Sequence, residues 1–151
     1  MFRETAKEQR RRTMQSIKSE SKLEKKVASE LWRRGFRFRK NVKSLFGKPD
    51  IAIKKYKIVI FIDSCFWHYC PEHGHIPKSN IDYWNKKLLR NKNRDKKVTN
   101  HYLENGWNII RIWEHELKGD YNKTLDRIEA FIAEHKINKP SSINHAYKNK
   151  K

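Results

Sequence analysis

Ile58-Val59-Ile60-Phe61-Ile62-Asp63-Ser64-Cys65-Phe66-Trp67-His68 is the stretch that decides the architecture. Residues 58–62 are apolar without a break, the pattern of a central strand buried on both faces. Just upstream, Gly47-Lys48-Pro49 punctuates a turn, and Asp50-Ile51-Ala52-Ile53 starts another strand, connected through Lys54-Lys55-Tyr56-Lys57. Phe36-Arg37-Phe38-Arg39 alternates as a strand does. Before it, Ser21-Lys22-Leu23-Glu24 has the form of a capping box, and Leu23, Val27 and Leu31 recur on one helical stripe. This spacing predicts a helix from Ser21 to Gly35, with Arg33 and Arg34 in the last turn, where cations suit the helix dipole.

Downstream of the central strand, residues 63–80 are irregular and rich in Cys, His and Pro. Residues 81–105 read as one long basic helix, with Trp84, Leu88, Val98 and Leu103 among its apolar positions and Asn105-Gly106 as its stop. Residues 107–113 form a further strand, and Leu125, Ile128 and Ile132, with Phe131 beside them, form a helical stripe. The order α-β-β-β-α-β-α predicts an α/β fold, a mixed sheet with helices on both faces. Residues 1–18 read as a basic N-terminal arm or short helix, 19–137 as the folded domain, and 138–151 as a polar C-terminal tail.

Composition narrows the function classes. The chain has 151 residues, one domain's worth, with 36 Lys and Arg against 17 Asp and Glu for a net charge of +19. Aromatics make up 12% and include five Trp, too many for a disordered polycation. No run approaches the ~18 apolar residues of a membrane span. The charged N-terminus, with Arg10, Arg11 and Arg12 and no apolar segment behind it, is unlike a secretory leader. Two cysteines make no disulfide scaffold. The expectation is a soluble intracellular protein with an anionic partner, nucleic acid first.

Five features carry candidate chemistry. Asp50 and Asp63 stand at the ends of two strands joined by a short turn. Paired there, they hold a hard divalent cation against phosphate oxygens; otherwise one follows a Pro turn and the other ends a strand. Cys65-x4-Cys70-x2-His73 is a partial zinc pattern, and His115 in Trp113-Glu114-His115-Glu116 completes a closed Cys2His2 set, hence a structural one. His75 competes with His73, and the alternative is a pair of buried thiols with solvent-facing histidines. Metal is the preferred reading, because the loop otherwise lacks a core. Phe66-Trp67 and Tyr83-Trp84 either pack around that loop or stack on bases beside a basic surface. His68 fits a further zinc ligand, a general base or a solvated loop residue, and spacing does not separate these. Finally, Lys86, Lys87, Arg90, Lys92, Arg94, Lys96 and Lys97 form either a solvated helix face or a phosphate-binding one. Asp95 among them either offsets their repulsion or orients a partner such as His68.

These residues resemble the very-short-patch repair (Vsr) endonuclease family, the DNA mismatch endonucleases. The carrying segments are Gly47-Lys48-Pro49-Asp50, Phe61-Ile62-Asp63-Ser64-Cys65-Phe66-Trp67-His68, Tyr83-Trp84, Asn91-Lys92-Asn93-Arg94-Asp95 and Ile112-Trp113-Glu114-His115-Glu116-Leu117. Met14-Gln15-Ser16-Ile17 and the helix bearing Glu24 also fit, so the resemblance spans residues 5–135. It implies a restriction-endonuclease-like mixed sheet flanked by helices, with a zinc-stapled loop. It also implies a metal-dependent hydrolase that nicks one strand 5′ to the T of a T·G mismatch, left when 5-methylcytosine deaminates. By the same resemblance, Asp50 and the Ile62 carbonyl bind a catalytic Mg²⁺, His68 is the general base, Asp95 orients it and Glu24 supports the site. Phe66, Trp67 and Trp84 wedge open the duplex, and Zn²⁺ holds the wedge loop. Of the basic run, Lys86, Lys87 and Arg90 are the residues expected to meet DNA, on charge alone. A bacterial cytoplasmic, nucleoid-associated monomer that works with mismatch-repair proteins follows as the expected setting.

Two departures stand out. Asp63 occupies a position where the best-known form of the family carries His, which suggests a second metal carboxylate. His115 stands in place of a Cys, and Cys70 with His73 replaces a His-rich segment. Two rivals remain on the residues alone: a restriction-type endonuclease of the same fold, and a zinc-stapled DNA-binding module without catalysis.

Overall fold

A computed structural model describes residues 5–72, 74 and 76–137. Residues 1–4, His73, His75 and the tail 138–151 lie outside the described residues, as do the side chains of Gln9, residues 12–21 and Ile137, among them Met14-Gln15-Ser16-Ile17 and Ser21.

The chain runs α1 (Ala6–Arg33), β1 (Arg39–Lys40), β2 (Ile51–Ile53), a 3-10 turn (Lys54–Tyr56), β3 (Ile58–Asp63), α2 (Ile81–Glu104), β4 (Asn108–Trp113), α3 (Glu114–Gly119) and α4 (Tyr121–Ile137). The sheet order is β1-β2-β3-β4, antiparallel between β1, β2 and β3 and parallel between β3 and β4. Among the described residues no helix is long and apolar enough to cross a membrane.

The alternation within β3 explains the layers. Ile58, Ile60 and Ile62 join Val27 and Leu31 of α1, Ile112 of β4, and Leu125, Ile128 and Ile132 of α4 in one core. Val59 and Phe61 point the other way, into a second core with Ala52 and with Val98 and Tyr102 of α2. Burying each such aliphatic side chain stabilises the fold by at most ~1.5–3 kcal/mol. The central strand buried on both faces is therefore observed, as are the helical stripes of α1 and α4.

Two boundaries differ from the sequence reading, and one helix is added to it. The first helix begins at Ala6, not near Ser21. Its capping box is Thr5 with Glu8: the Thr5 hydroxyl accepts the Glu8 N–H at 3.2 Å, and the Glu8 carboxylate accepts the Thr5 N–H at 2.9 Å. Residues 6–20 are rich in Lys, Glu, Gln and Arg, good helix formers, so the helix runs through the later S-x-x-E pattern. The strand expected at 36–39 shrinks to Arg39–Lys40, because Phe36 and Phe38 turn onto the α1–α4 core instead of joining the ladder. Residues 114–119, given no element in the sequence reading, make the separate helix α3. Glu116 accepts the Trp113 N–H at 3.0 Å at its start.

Candidate active site and metal centre

The C-terminal end of β3 gathers two carboxylate groupings, one from each side of the strand. Antiparallel pairing sets Ile51 against Ile60, so Asp50 falls level with the strand's last residues. Its Oδ2 accepts the Ile62 N–H at 2.7 Å. Glu24 of α1 shares a hydrogen bond with Asp50. Burial, then the charge of Glu24, pushes the Asp50 carboxyl up to about 7; the Ile62 N–H opposes the rise, and the Glu24 hydrogen bond and the Asp63 charge add to it. Carboxylates this close repel unless a proton or a cation lies between them. The donor set is thus one that a hard divalent cation fits.

On the α2 side of β3, the buried Asp63 accepts both its hydrogen bonds from Nη1 of Arg111, at 3.0 Å to each oxygen. Burial raises the Asp63 carboxyl, while His68 and Arg111 pull it back. The chain then turns tightly: the Ser64 carbonyl accepts the His68 N–H at 3.1 Å, and Tyr69 takes a positive φ of 50°. This turn folds His68 back over the strand end. Its Nδ1 lies 2.6 Å from Asp95 Oδ2 of α2 and 3.7 Å from Asp63 Oδ1. A carboxylate on Nδ1 fixes the ring and its tautomer, the arrangement a general base requires. Phe61, Trp67, His68, Asn91, Asp95 and Arg111 line an open cleft of about 410 Å³ beside it.

The aromatic residues form one cluster over the loop. Phe66, Trp67 and Trp84 meet pairwise with ring centroids 5.0, 5.4 and 5.9 Å apart, and Tyr83 edges onto Trp84 at 5.3 Å. Lys87 Nζ sits 5.1 Å from the Trp67 centroid and 5.6 Å from that of Trp84, close enough for cation–π attraction. Lys86 and Arg90, four residues apart on α2, are exposed. Trp67 Nε1 is buried without a hydrogen-bond partner among the described residues. Asn91 Nδ2 donates to the Trp67 carbonyl at 3.1 Å, so the aromatic pair is tied to α2.

The metal centre follows from strand register. β3 and β4 run parallel with Asp63 opposite Trp113, which sets Cys65 beside His115 in the first turn of α3. Cys65 Sγ and Cys70 Sγ lie 3.3 and 3.5 Å from His115 Nδ1. Tetrahedral zinc, with ~2.3 Å to sulfur and ~2.05 Å to nitrogen, separates such ligands by ~3.6 Å. The three residues therefore fit a zinc ion, and a fourth ligand from His73 or His75 falls outside the described residues. Burial pushes the Cys65 thiol up to about 11, a rise that the His115 backbone opposes and Cys70 adds to, so a bound cation is what would hold it as thiolate.

Sequence reasoning passed over several contributors. Arg111 is the main one, and its signal was a lone cation inside the apolar strand Asn108–Trp113. Asn91 and Thr99 looked like ordinary polar helix residues; Thr99 accepts from Arg111 Nε at 2.8 Å. Glu72 reaches His115 Nε2 at 3.5 Å, and Glu114 accepts from the Cys65 N–H at 3.4 Å, both steadying the cysteine loop.

Comparison with known proteins agrees with this geometry. A family model described as DNA mismatch endonuclease Vsr matches residues 4–73. The chain is 47% identical over 110 residues to the type II nicking enzyme V.NmeAIP of Neisseria meningitidis, covering 72% of this chain and 76% of that protein. It is 40% identical over 131 residues to the type II nicking enzyme V.HpaIIP of Haemophilus parainfluenzae, covering 84% and 93%. It is 32% identical over 133 residues to the DNA mismatch endonuclease Vsr of Escherichia coli, covering 82% and 83%. With the mixed sheet, the carboxylates at its end and these relatives in hand, the chain belongs to the Vsr family of DNA mismatch endonucleases.

Proposed function

We propose that this protein nicks one strand of double-stranded DNA 5′ to the T of a T·G mismatch, as a monomer with a catalytic Mg²⁺ and a structural Zn²⁺. The observation that carries the proposal is the His68–Asp95 pair, 2.6 Å apart, at the end of the strand whose other side holds Asp50 and Glu24.

Asp50 and the Ile62 carbonyl would hold the cation, with Glu24 supporting Asp50, and the cation would supply Lewis-acid stabilisation of the charge developing on the phosphate. His68 takes a proton from water through the ring nitrogen not engaged by Asp95. Asp95 holds the ring and stabilises the imidazolium that forms. The water oxygen attacks phosphorus in line, the bridging P–O bond breaks, and the departing sugar oxygen takes a proton from solvent. Lys86, Lys87 and Arg90 meet neighbouring phosphates, a charge-driven and salt-sensitive contribution.

Selectivity comes from the aromatic cluster. Phe66, Trp67 and Trp84 wedge into the duplex, held by the cysteine loop on one side and α2 on the other. Such insertion costs a few kcal/mol of unstacking, roughly as for other wedge residues. A mismatched pair is already weakly stacked, so that cost is lower there.

The test is a nicking assay on labelled duplexes that differ only in T·G against C·G at one position. A single nick 5′ to the mismatched T, dependent on added Mg²⁺, is the expected result. Equal cutting of both duplexes would make the protein a restriction-type enzyme. Binding without cutting, across several sequence contexts, would make it a DNA-binding module.

A further inference from the structure

We infer that Arg111 is a positioning residue for the reaction: it neutralises the buried Asp63 and fastens α2 to the sheet, so that Asp95 rather than Asp63 orients the His68 ring. The inference rests on the nuclease reading above and assigns Asp63 to this charge pair rather than to the catalytic cation.

Arg111 is the only charged residue of β4, and its register partner is Phe61. It therefore projects onto the α2 face. All three nitrogens of its guanidinium are engaged. Nη1 reaches both oxygens of Asp63 at 3.0 Å, Nε donates to Thr99 Oγ1 at 2.8 Å, and Nη2 donates to the Asp95 carbonyl at 3.2 Å. The guanidinium carbon lies 4.5 Å from the Phe61 ring centroid. Only a planar fork of fixed donors makes these contacts together; a lysine ammonium keeps the charge but loses the fork.

Two consequences follow for His68. Asp95 and Thr99 are four residues apart on α2, on one helical face, so Arg111 holds the turn that carries the Asp95 carboxylate. Asp63 is 3% exposed, and its Oδ1 is 3.7 Å from the His68 Nδ1 that Asp95 holds at 2.6 Å. Among the described residues, the groups of opposite sign recorded at the buried Asp63 are Arg111 and the His68 ring, so without Arg111 the charge falls to His68. It then competes with Asp95 and turns the ring away from its working angle. The same geometry disfavours Asp63 as a cation ligand, because a guanidinium nitrogen already lies on both of its oxygens.

Single-turnover nicking of the T·G duplex by the full, zinc-loaded chain tests this, with Mg²⁺ and duplex concentration varied for wild type, R111M, R111K, D63N and D63N/R111M. R111M should lower the maximal rate by about 10²-fold, the penalty of a misplaced catalytic group, with the duplex KM and the Mg²⁺ midpoint within about twofold of wild type. R111K should fall between the two. D63N/R111M should recover at least about tenfold over R111M, because the unpaired buried charge is gone. Duplex binding in Mg²⁺-free buffer shows whether each variant is folded. If R111M fails to bind, R111K carries the test, with a rate loss of about tenfold or more at unchanged KM expected. A rate for the readable Arg111 variant within about threefold of wild type overturns the inference, as does a double variant no faster than R111M. So does a D63N protein whose Mg²⁺ midpoint rises by about tenfold or more, which would make Asp63 a cation ligand. Should wild type cut C·G as fast as T·G, the substrate reading fails, and the same rates on that duplex still decide Arg111. A wild type that cuts neither duplex overturns both.

Discussion

Replacing Asp50 with Asn is expected to abolish nicking and yet stabilise the metal-free protein. The Asp50 carboxyl has an ordinary value of 3.8 and is raised to about 7 in the fold, chiefly by burial and then by Glu24. At ~1.4 kcal/mol for each pH unit, that gap corresponds to a penalty of ~4 kcal/mol for the ionised form. The sign follows from proton uptake. A group whose value is raised on folding binds more proton in the native state, so its contribution is fully present below 3.8 and lost as pH rises through about 7. Wild type therefore carries the whole penalty near pH 8. Asparagine keeps an oxygen for the Ile62 N–H and removes only the charge. D50N should melt higher than wild type by roughly 8–16 °C at about pH 8, with ~4 kcal/mol as the ceiling for a chain of this size. At about pH 4.5 the difference should shrink to ~1 kcal/mol, since few native sites are then ionised. The assay is tryptophan-fluorescence melting of zinc-loaded protein in Mg²⁺-free buffer at both pH values. Adding Mg²⁺ should raise the midpoint of wild type and leave D50N unmoved. A D50N protein no more stable than wild type at about pH 8, or a difference that does not grow with pH, would refute the reasoning.

Three further outcomes are expected. H68A should slow nicking by about 10²–10⁴-fold while leaving duplex affinity near that of wild type, measured by rates and by anisotropy; activity close to wild type would remove His68 from the mechanism. C70S should lower bound zinc, read by elemental analysis, and reduce nicking through the aromatic loop; full zinc content in the variant would show that Cys70 is no ligand. G47A should destabilise the chain by about 1–3 kcal/mol in urea unfolding, since a Cβ there would lie 2.6 Å from a Val98 methyl group at a φ of +74°; an unchanged midpoint would contradict that packing.

Much of the site was readable because it is local. Cys65, Cys70 and His68 lie within six residues, and Asp50 sits one hairpin away from the strand that precedes them. His115 was readable because a Cys/His loop needs further ligands to close a site. What resisted was relational. The S-x-x-E at Ser21 has the same local pattern as a true N-cap, and only the helix that precedes it shows that it lies mid-helix. Phe36 and Phe38 alternate as strand residues do, yet their place in the α1–α4 core depends on how those helices cross the sheet. Arg111 drew no notice, because nothing near it in sequence says which carboxylate it meets 48 residues away.

By itself, the sequence determined the central strand and the faces of its flanking helices, since alternation and 3.6-residue spacing depend on neighbours along the chain. It also determined the chemical types at the site: carboxylates, a histidine and thiols among cations and aromatics. The tertiary structure alone decided which of those groups touch. The parallel register of β3 and β4 brings Cys65 to His115, and the packing of α2 across the sheet brings Asp95 to His68 and Arg111 to Asp63. Charges act over a few ångströms of space whatever their separation in sequence, so the pairing that tunes the site exists only once the helices are docked on the sheet.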